Sequence, residues 1–348
     1  MKQIGGGRSR PADWALMSCL LVSLCIGNAT DGNVSDLAAG TSWWREMKPV
    51  WAARVSQQPR MRKYFLMSCV LMRGELHLLR ETVVRTMMAG VEHTVVVHHD
   101  PTGEYHDEVL RVLHPLIANG LVTVVWVRNY QRQMCVTRYR DQAHWILYID
   151  ADEVLTELQP ERHSLVRFLE ELPSDVPALH ISSHFFLSNG RLEKAASDMM
   201  LLDAFTEYCP WNPWRVFGKI IVRPELVTKV WTHNANYVQG AGLPVDEDGL
   251  SDAPLFTTEE RRKFLFNEQF RNMSWHLVRS SKFAISHYWC RSAEVIFSFL
   301  SLSLSSLSLY LYLYLSLSLS LSLSPSHNTR ICSTCRSIFK RGPGELGR

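Results

Sequence analysis

Between Tyr64 and Asp150 the sequence alternates short apolar, β-branched runs with longer amphipathic ones, and few architectures accept that pattern. Successive strand and helix signals of this kind read as βαβ units around a parallel sheet. Strands are expected at Tyr64–Leu71, His93–His99, Leu121–Val127 and Trp145–Ile149, and helices at Leu76–Met88, His106–Asn119 and Gln131–Ala143. Gly90 and Gly120 follow the first two helices, where a left-handed cap residue is wanted. The fold class is therefore α/β, a mostly parallel sheet flanked by helices. After Glu153 the pattern is more mixed, with strands expected at Ala178–Leu187, Gly218–Val222 and Phe283–Tyr288 among loops rich in aromatics and proline.

The flanks of this region read differently. Lys2, Arg8 and Arg10 precede an apolar stretch from Trp14 to Ile26 and a polar run from Gly27 to Ser35, the order of a secretory signal. The stretch falls short of the about 20 apolar residues of a membrane span, which favours a cleaved signal over a signal anchor for residues 1–27. As an anchor, the segment would give the chain membrane association. Asn28, Asn33 and Asn272 each open an acceptor pattern for N-glycosylation. Residues 28–60 show no clear period and read as a stem or irregular lead-in, so the main domain is placed at 61–294. Residues 295–348 contain an alternating Ser-Leu tract that carries no site chemistry. We read it as a translated nucleotide repeat, non-native or disordered, so that the natural C-terminus differs from Arg348.

Composition excludes one class of partner. The net charge of +3 comes from 37 basic and 34 acidic residues spread along the 348-residue chain, which gives no charge-driven affinity for nucleic acid. The 8 cysteines lack the paired spacing of a zinc module, and their pairing cannot be read from the spacings. A lone CxxC at Cys332 and Cys335 is weak evidence for a metal or redox site.

In an open parallel sheet, ligands collect beyond the carboxyl ends of the strands. The residues found there are Met72 to Glu75, Asp100, and Asp150 to Glu153. Asp150 and Asp152 are two residues apart at the end of an apolar strand, a spacing that can turn both side chains toward one crevice. Their mutual repulsion is relieved by a divalent cation, Mg²⁺ or Mn²⁺, which takes one or two protein carboxylates and fills its other positions with phosphate oxygens and water. Such an ion stabilises charge on a departing diphosphate.

The segment Trp145 to Leu155, WILYIDADEVL, resembles the metal-binding strand of family 92 glycosyltransferases and related family 2-like enzymes. The stretch from Cys69 to Asp100 resembles that family's first strand, helix and second strand, GKIIVRPELV from Gly218 to Val227 a later strand, and HYWCRSAE from His287 to Glu294 its closing motif. The resemblance spans roughly Tyr64 to Glu294, several motifs in the right order. It implies a GT-A-like fold whose mixed second half binds the acceptor. The implied activity is transfer of a sugar from a UDP- or GDP-sugar to a glycan or glycoconjugate, at the Golgi membrane or in its lumen.

Roles follow from the resemblance. Asp152 is expected to bind the cation and Asp150 the ribose or cation, with Asp100 and Glu75 at the base and ribose. His287 is a further candidate metal ligand, since imidazole suits Mn²⁺. An inverting transfer needs a carboxylate to deprotonate the acceptor hydroxyl, and Asp203 and Glu207 are the candidates, with a solvated helix face an equally open reading of the two. Arg215, Lys219 and Arg223 could meet phosphate or simply carry surface charge. Trp211, Trp214, Trp231 and Trp289 could stack on sugar rings or fill the core. Two departures stand out: Arg73 and Gly74 precede Glu75 where family members commonly carry Asn, and the closing motif runs into the Ser-Leu tract. They motivate an alternative, a catalytically inactive glycan- or nucleotide-binding relative. A metal-dependent phosphate-ester hydrolase is a third reading of the same acids.

Overall fold

The computed structural model describes residues 42–73, 75–100, 102–128, 132–186, 204–206, 218–249 and 282–288. The signal-like segment, the acceptor patterns at Asn28, Asn33 and Asn272, the Ser-Leu tract and the CxxC lie outside them. Among the described residues, no helix is long and apolar enough to cross a membrane.

The described chain opens with helix α1 (Ser42–Arg54), which corrects the expectation of an irregular lead-in. Trp44, Met47 and Trp51 recur at i, i+3 and i+7, so they share one helix face. Trp44 and Met47 are buried, and the Trp51 indole donates to the Val91 carbonyl at 2.8 Å. The Arg54 guanidinium pairs with Glu157 at 2.7 Å. The charged residues and Pro49 between these anchors hide the stripe from a reading by period.

The alternating region forms the sheet its pattern demands. Strands β1 (Tyr64–Met72), β2 (His93–His99), β3 (Val122–Val127) and β4 (Ala143–Asp150) are parallel and lie in the order β3-β2-β1-β4. Helices α2 (Leu76–Met88), α3 (His106–Ala118) and α4 (Gln133–Tyr139) make the crossovers. The last is shorter than expected at both ends. At its far end the Gln142 carbonyl accepts the Tyr64 amide at 2.9 Å, which commits the chain to the sheet before Ala143.

Beyond Asp150 the chain changes sheet. Strands β5 (Glu153–Glu157), β6 (Ala178–Ile181), β7 (Ser183–Phe185), β8 (Lys219–Val222), β9 (Val227–Val230), β10 (Ala235–Tyr237) and β11 (Phe283–His287) follow, with helix α5 (Leu165–Glu171) after β5. Strands β8 and β6 extend the first sheet on the β4 side, β8 running antiparallel to both neighbours. Strand β11 lies between β5 and β7 in a separate three-stranded sheet, and β9 and β10 form a hairpin. The single strand expected at Ala178–Leu187 is thus two, divided at Ser182 between two sheets.

Both faces of the first sheet are covered, which is why its strands read as continuous apolar runs. Along β4, Trp145, Leu147 and Ile149 join the layer under α1, α2, α3 and α5, while Ile146 and Tyr148 join the layer under α4 and the β9–β10 hairpin. Burying a side chain of this kind contributes about 1.5–3 kcal/mol. In the second layer Cys69 of β1 and Cys135 of α4 form a disulfide with their Cα atoms 6.3 Å apart, a pairing the spacings left open. Gly90 has a φ of 96°, and a Cβ there would lie 2.8 Å from the Arg54 carbonyl, so glycine permits both the helix stop and the close approach of α1.

Candidate functional site

Strands β2 and β3 lie on one side of β1 and β4 on the other, so the strand order reverses between β1 and β4. At such a switch point the loops diverge and leave a crevice at the carboxyl ends. In the register of this sheet Leu71 of β1 faces Asp150 of β4, which puts the acid pair at that crevice.

The backbone explains how the acids are presented. The Ala151 amide donates to the Leu71 carbonyl at 2.9 Å, and the Ala151 carbonyl accepts the Thr82 hydroxyl of α2 at 2.7 Å. Ala151 is buried between these anchors. The period of two then turns the flanking Asp150 and Asp152 the other way, where their side chains are 26% and 17% exposed.

Each acid has basic company. The Lys219 ammonium hydrogen-bonds Asp150 and lies 3.0 Å from Glu153, with both Lys219 and Glu153 side chains only 1% exposed. Arg132, just before α4, reaches to 3.6 Å from the other Asp150 oxygen. Glu153 also accepts the Asp150 amide at 2.9 Å. His287, at the end of β11, has Nε2 3.6 Å from Asp152 and Nδ1 3.4 Å from Glu153. The pairing of β11 with β5 sets His287 opposite Glu153, and the Tyr288 amide donates to the Asp152 carbonyl at 3.1 Å. Phe185 packs against the imidazole with ring centroids 4.8 Å apart.

These neighbours set the charge states. Burial alone would raise the Asp150 pKa, but the Lys219 and Arg132 charges outweigh it and hold the carboxyl below its usual value. Burial raises Glu153, and its cationic neighbours only partly offset this. Burial opposes the charge on Lys219, yet Asp150 and Glu153 raise its pKa. His287 is likewise raised, because Glu153 and Asp152 prevail over burial.

The other expected residues are placed variously. Asp100 stands at the same sheet edge, following β2, and accepts hydrogen bonds from the amides of Thr102, Gly103 and Tyr105 and from the Thr102 hydroxyl at 2.8–3.0 Å. The Tyr105 amide foremost, with the other donors, lowers its pKa to about 2 against the smaller cost of burial. Glu75 opens α2 at the β1 edge and accepts the Arg73 amide at 2.7 Å. Lys219 is neither on the surface nor poised as a bare phosphate ligand; it is a buried counter-ion. Arg223 lies over the Trp145 ring at 4.1 Å and donates to the carbonyls of Val176, Leu172 and Pro173, which ties β8 to the turn before β6. Trp231 is exposed, with Lys229 3.9 Å above its ring. Asp203, Glu207, Trp211, Trp214, Arg215 and Trp289 lie outside the described residues.

Arg132 was not among the residues expected at the site, Glu153 was expected there only as part of the strand-end segment with no role of its own, and Lys219 only as a phosphate contact or surface charge. A clue to Lys219 was available, since a single charge heading the apolar run KIIV must point away from the core or find a buried partner. Among the described residues, no group of three or more His, Cys, Asp or Glu is arranged to hold a metal ion. Asp152 and His287 converge closely enough to act as two ligands. Magnesium and manganese sites of that kind are completed by phosphate oxygens and water.

Residues 79–247, just under half of the chain, match the family described as Glycosyltransferase family 92. The match includes Asp100, Asp150, Asp152 and Lys219 and leaves Glu75 and His287 outside it. No curated protein matches the chain. Among solved structures it is similar to S. aureus TarS 1-349, at 13% identity over 47% of this chain and 48% of that one, with a TM-score of 0.30. The same TarS fragment in complex with UDP-GlcNAc gives 15% identity, 47% and 46% coverage, and a TM-score of 0.29. HddC from Yersinia pseudotuberculosis gives 10% identity over 55% of this chain and 86% of that one, with a TM-score of 0.29. The chain spans about half the length of the two TarS structures. The GT-A-like α/β fold expected from the residues, a helix-flanked and mostly parallel sheet followed by a mixed half, rests on the sheet itself and on the family match.

Proposed function

Starting from a chain whose residues 79–247 match glycosyltransferase family 92, we propose that this protein transfers a sugar from a nucleotide-sugar donor to a glycan or glycoconjugate, assisted by Mn²⁺ or Mg²⁺. The observation that carries the reading is the acid pair at the switch point, with His287 3.6 Å from Asp152. Asp152 and His287 would hold the ion, and Asp150 would meet the ribose or the ion. A bound ion supplies positive charge to the diphosphate as it departs. The chain's own groups do the rest. Arg132 and Lys219 hold Asp150 ionised and oriented, Asp100 orders the loop after β2, and Glu75 opens α2 on the nucleotide side. Deprotonation of the acceptor hydroxyl is assigned to Asp203 or Glu207, as expected from the sequence.

The signal-like N-terminus and its neighbouring glycosylation patterns support a place in the secretory pathway, at the Golgi membrane or in its lumen. The Cys69–Cys135 disulfide is compatible with that compartment, because such bonds persist where the surroundings are oxidising.

A panel of UDP- and GDP-sugars, screened for thermal stabilisation and donor hydrolysis with Mn²⁺, tests the proposal. One donor is expected to stabilise the protein selectively by mass action. Asp152→Ala or removal of the ion by a chelator is expected to cut turnover by about 100-fold or more, the scale of losing a group that stabilises developing charge. Full turnover under both treatments would reject the metal-assisted reading. Saturable nucleotide binding without turnover would select the inactive relative instead.

A further inference from the structure

Lys219 has a task beyond balancing charge. Its ammonium binds Asp150 and lies 3.0 Å from Glu153, and the Glu153 carboxylate also accepts the Asp150 amide at 2.9 Å. The three groups form a closed arrangement of one cation and two acids in which Lys219 and Glu153 are shut off from water. Arg132 stands 3.6 Å from the remaining Asp150 oxygen, so each oxygen of this carboxylate faces a cation built into the protein. The position of Lys219 is itself enforced. It follows Gly218, where any Cβ would fall 1.6 Å from the Ile181 carbonyl, so β8 sits hard against β6.

An Mg²⁺-like ion coordinated by Asp150 would have to lie about 2.0–2.1 Å from a carboxylate oxygen that already holds an ammonium or faces a guanidinium. Like charges would then meet within contact distance in surroundings that screen them poorly. Asp152 faces a different neighbour, the His287 imidazole, which becomes a metal ligand once neutral.

We propose that Lys219 is a positioning residue: an internal cation that fixes the Asp150 carboxylate at the mouth of the crevice and keeps a divalent ion off it, leaving the ion to the Asp152–His287 side. This deepens the proposed function and rests on it for the ion itself. With one carboxylate and one imidazole from the protein, Asp152 and His287 would hold an ion weakly without the donor phosphates to complete its shell. Asp150 is thereby kept as a hydrogen-bond acceptor for the ribose.

The test is equilibrium binding of Mn²⁺ alone to the whole chain, followed by the electron paramagnetic resonance signal of free Mn²⁺. Lys219→Met removes the internal cation at nearly constant volume and is expected to tighten Mn²⁺ binding by about tenfold or more, the scale on which groups behind the ligands tune metal sites. Adding Asp150→Asn is expected to cancel the gain. Because Lys219→Met leaves two buried acids facing each other, Lys219→Met/Glu153→Gln is measured beside it and is expected to show the same gain in a neutralised pocket. A folded variant that binds Mn²⁺ no more tightly than the natural chain, or a gain that survives Asp150→Asn, overturns the proposal. A lysine with no hold on Asp150 would change Mn²⁺ binding by the same factor whether residue 150 is Asp or Asn, since uncoupled substitutions add. Absence of nucleotide-sugar turnover in the natural chain would count against the functional reading alone, since Mn²⁺ binding is read without a donor.

Discussion

Ala151 is held on one side by Leu71 and on the other by the Thr82 hydroxyl, and the two aspartates point where they do because of it. The pair was legible from its context, two acids that end the fourth strand of a βαβ series, since the same spacing alone also suits a solvated turn after a strand. His287 was reachable only through the family motif that contains it. Lys219 was singled out but its task was not, because that task comes from a partner 69 residues away and a sequence window cannot see which strands become neighbours. Asp100 was expected at a ligand, and the structure adds a nearer occupation, ordering the loop that leads into α3. A second buried histidine makes a pH prediction at this scale. His93 contacts the Gly120 carbonyl at 3.0 Å and the Thr123 hydroxyl at 3.1 Å, and burial foremost lowers its pKa below 6.5. The unfolded chain therefore takes up this proton first as the pH falls, so the stability that neutral His93 contributes is present above pH 6.5 and is lost progressively below it. In thermal melts, the drop in Tm between pH 6.5 and about 5.5 is expected to be smaller for His93→Gln than for the natural chain. Equal drops would contradict the assignment.

Among the elements, the four parallel strands and their crossover helices were legible because strand and helix periods differ and the glycines mark the stops. Most boundaries shifted by a residue or two, and the end of α4 by four, where the hydrogen bond from Tyr64 to Gln142 took over. Helix α1 was illegible because its three apolar anchors are sparse and have Pro49 between them. The division of 178–187 between two sheets was illegible because β6 and β7 owe their separation to β8 and β11, which come much later in the chain. Strand β8 carries the element-scale prediction. Gly218→Ala drives a Cβ to 1.6 Å from the Ile181 carbonyl, and backbone on both sides leaves no flexible side chain to yield. A loss of about 3 kcal/mol in urea unfolding is expected, at the upper end of overpacking costs. A change within about 0.5 kcal/mol, the range of ordinary surface substitutions, would mean that β8 accommodates the methyl group and that the glycine does not set its place.

Across the whole molecule, the sheet order creates the crevice, and the disulfide ties its central strand to the helix beside Arg132. The fold class followed from the sequence, since few architectures suit that alternation. The pairing of Cys69 with Cys135 did not, because any of the 8 cysteines could have been chosen. Closing a loop between residues 66 apart removes freedom from the unfolded chain, so Cys135→Ala is expected to lower stability by about 2–4 kcal/mol. Reductant should weaken the natural chain similarly and leave the variant unchanged; a natural chain indifferent to reductant would argue that the bond adds nothing. Strand β11 has one more implication. It docks against β5 across a separation of 130 residues, as the Thr156–Ser286 hydroxyl pair shows, and it delivers His287. During synthesis, a nascent chain released from the ribosome as far as residue 249 would already own both aspartates and Lys219 but not the imidazole. On the proposed reading, an ion held through His287 would have to wait for β11, the last strand among the described residues, so that a chain made only as far as residue 249 would lack one of its two protein ligands.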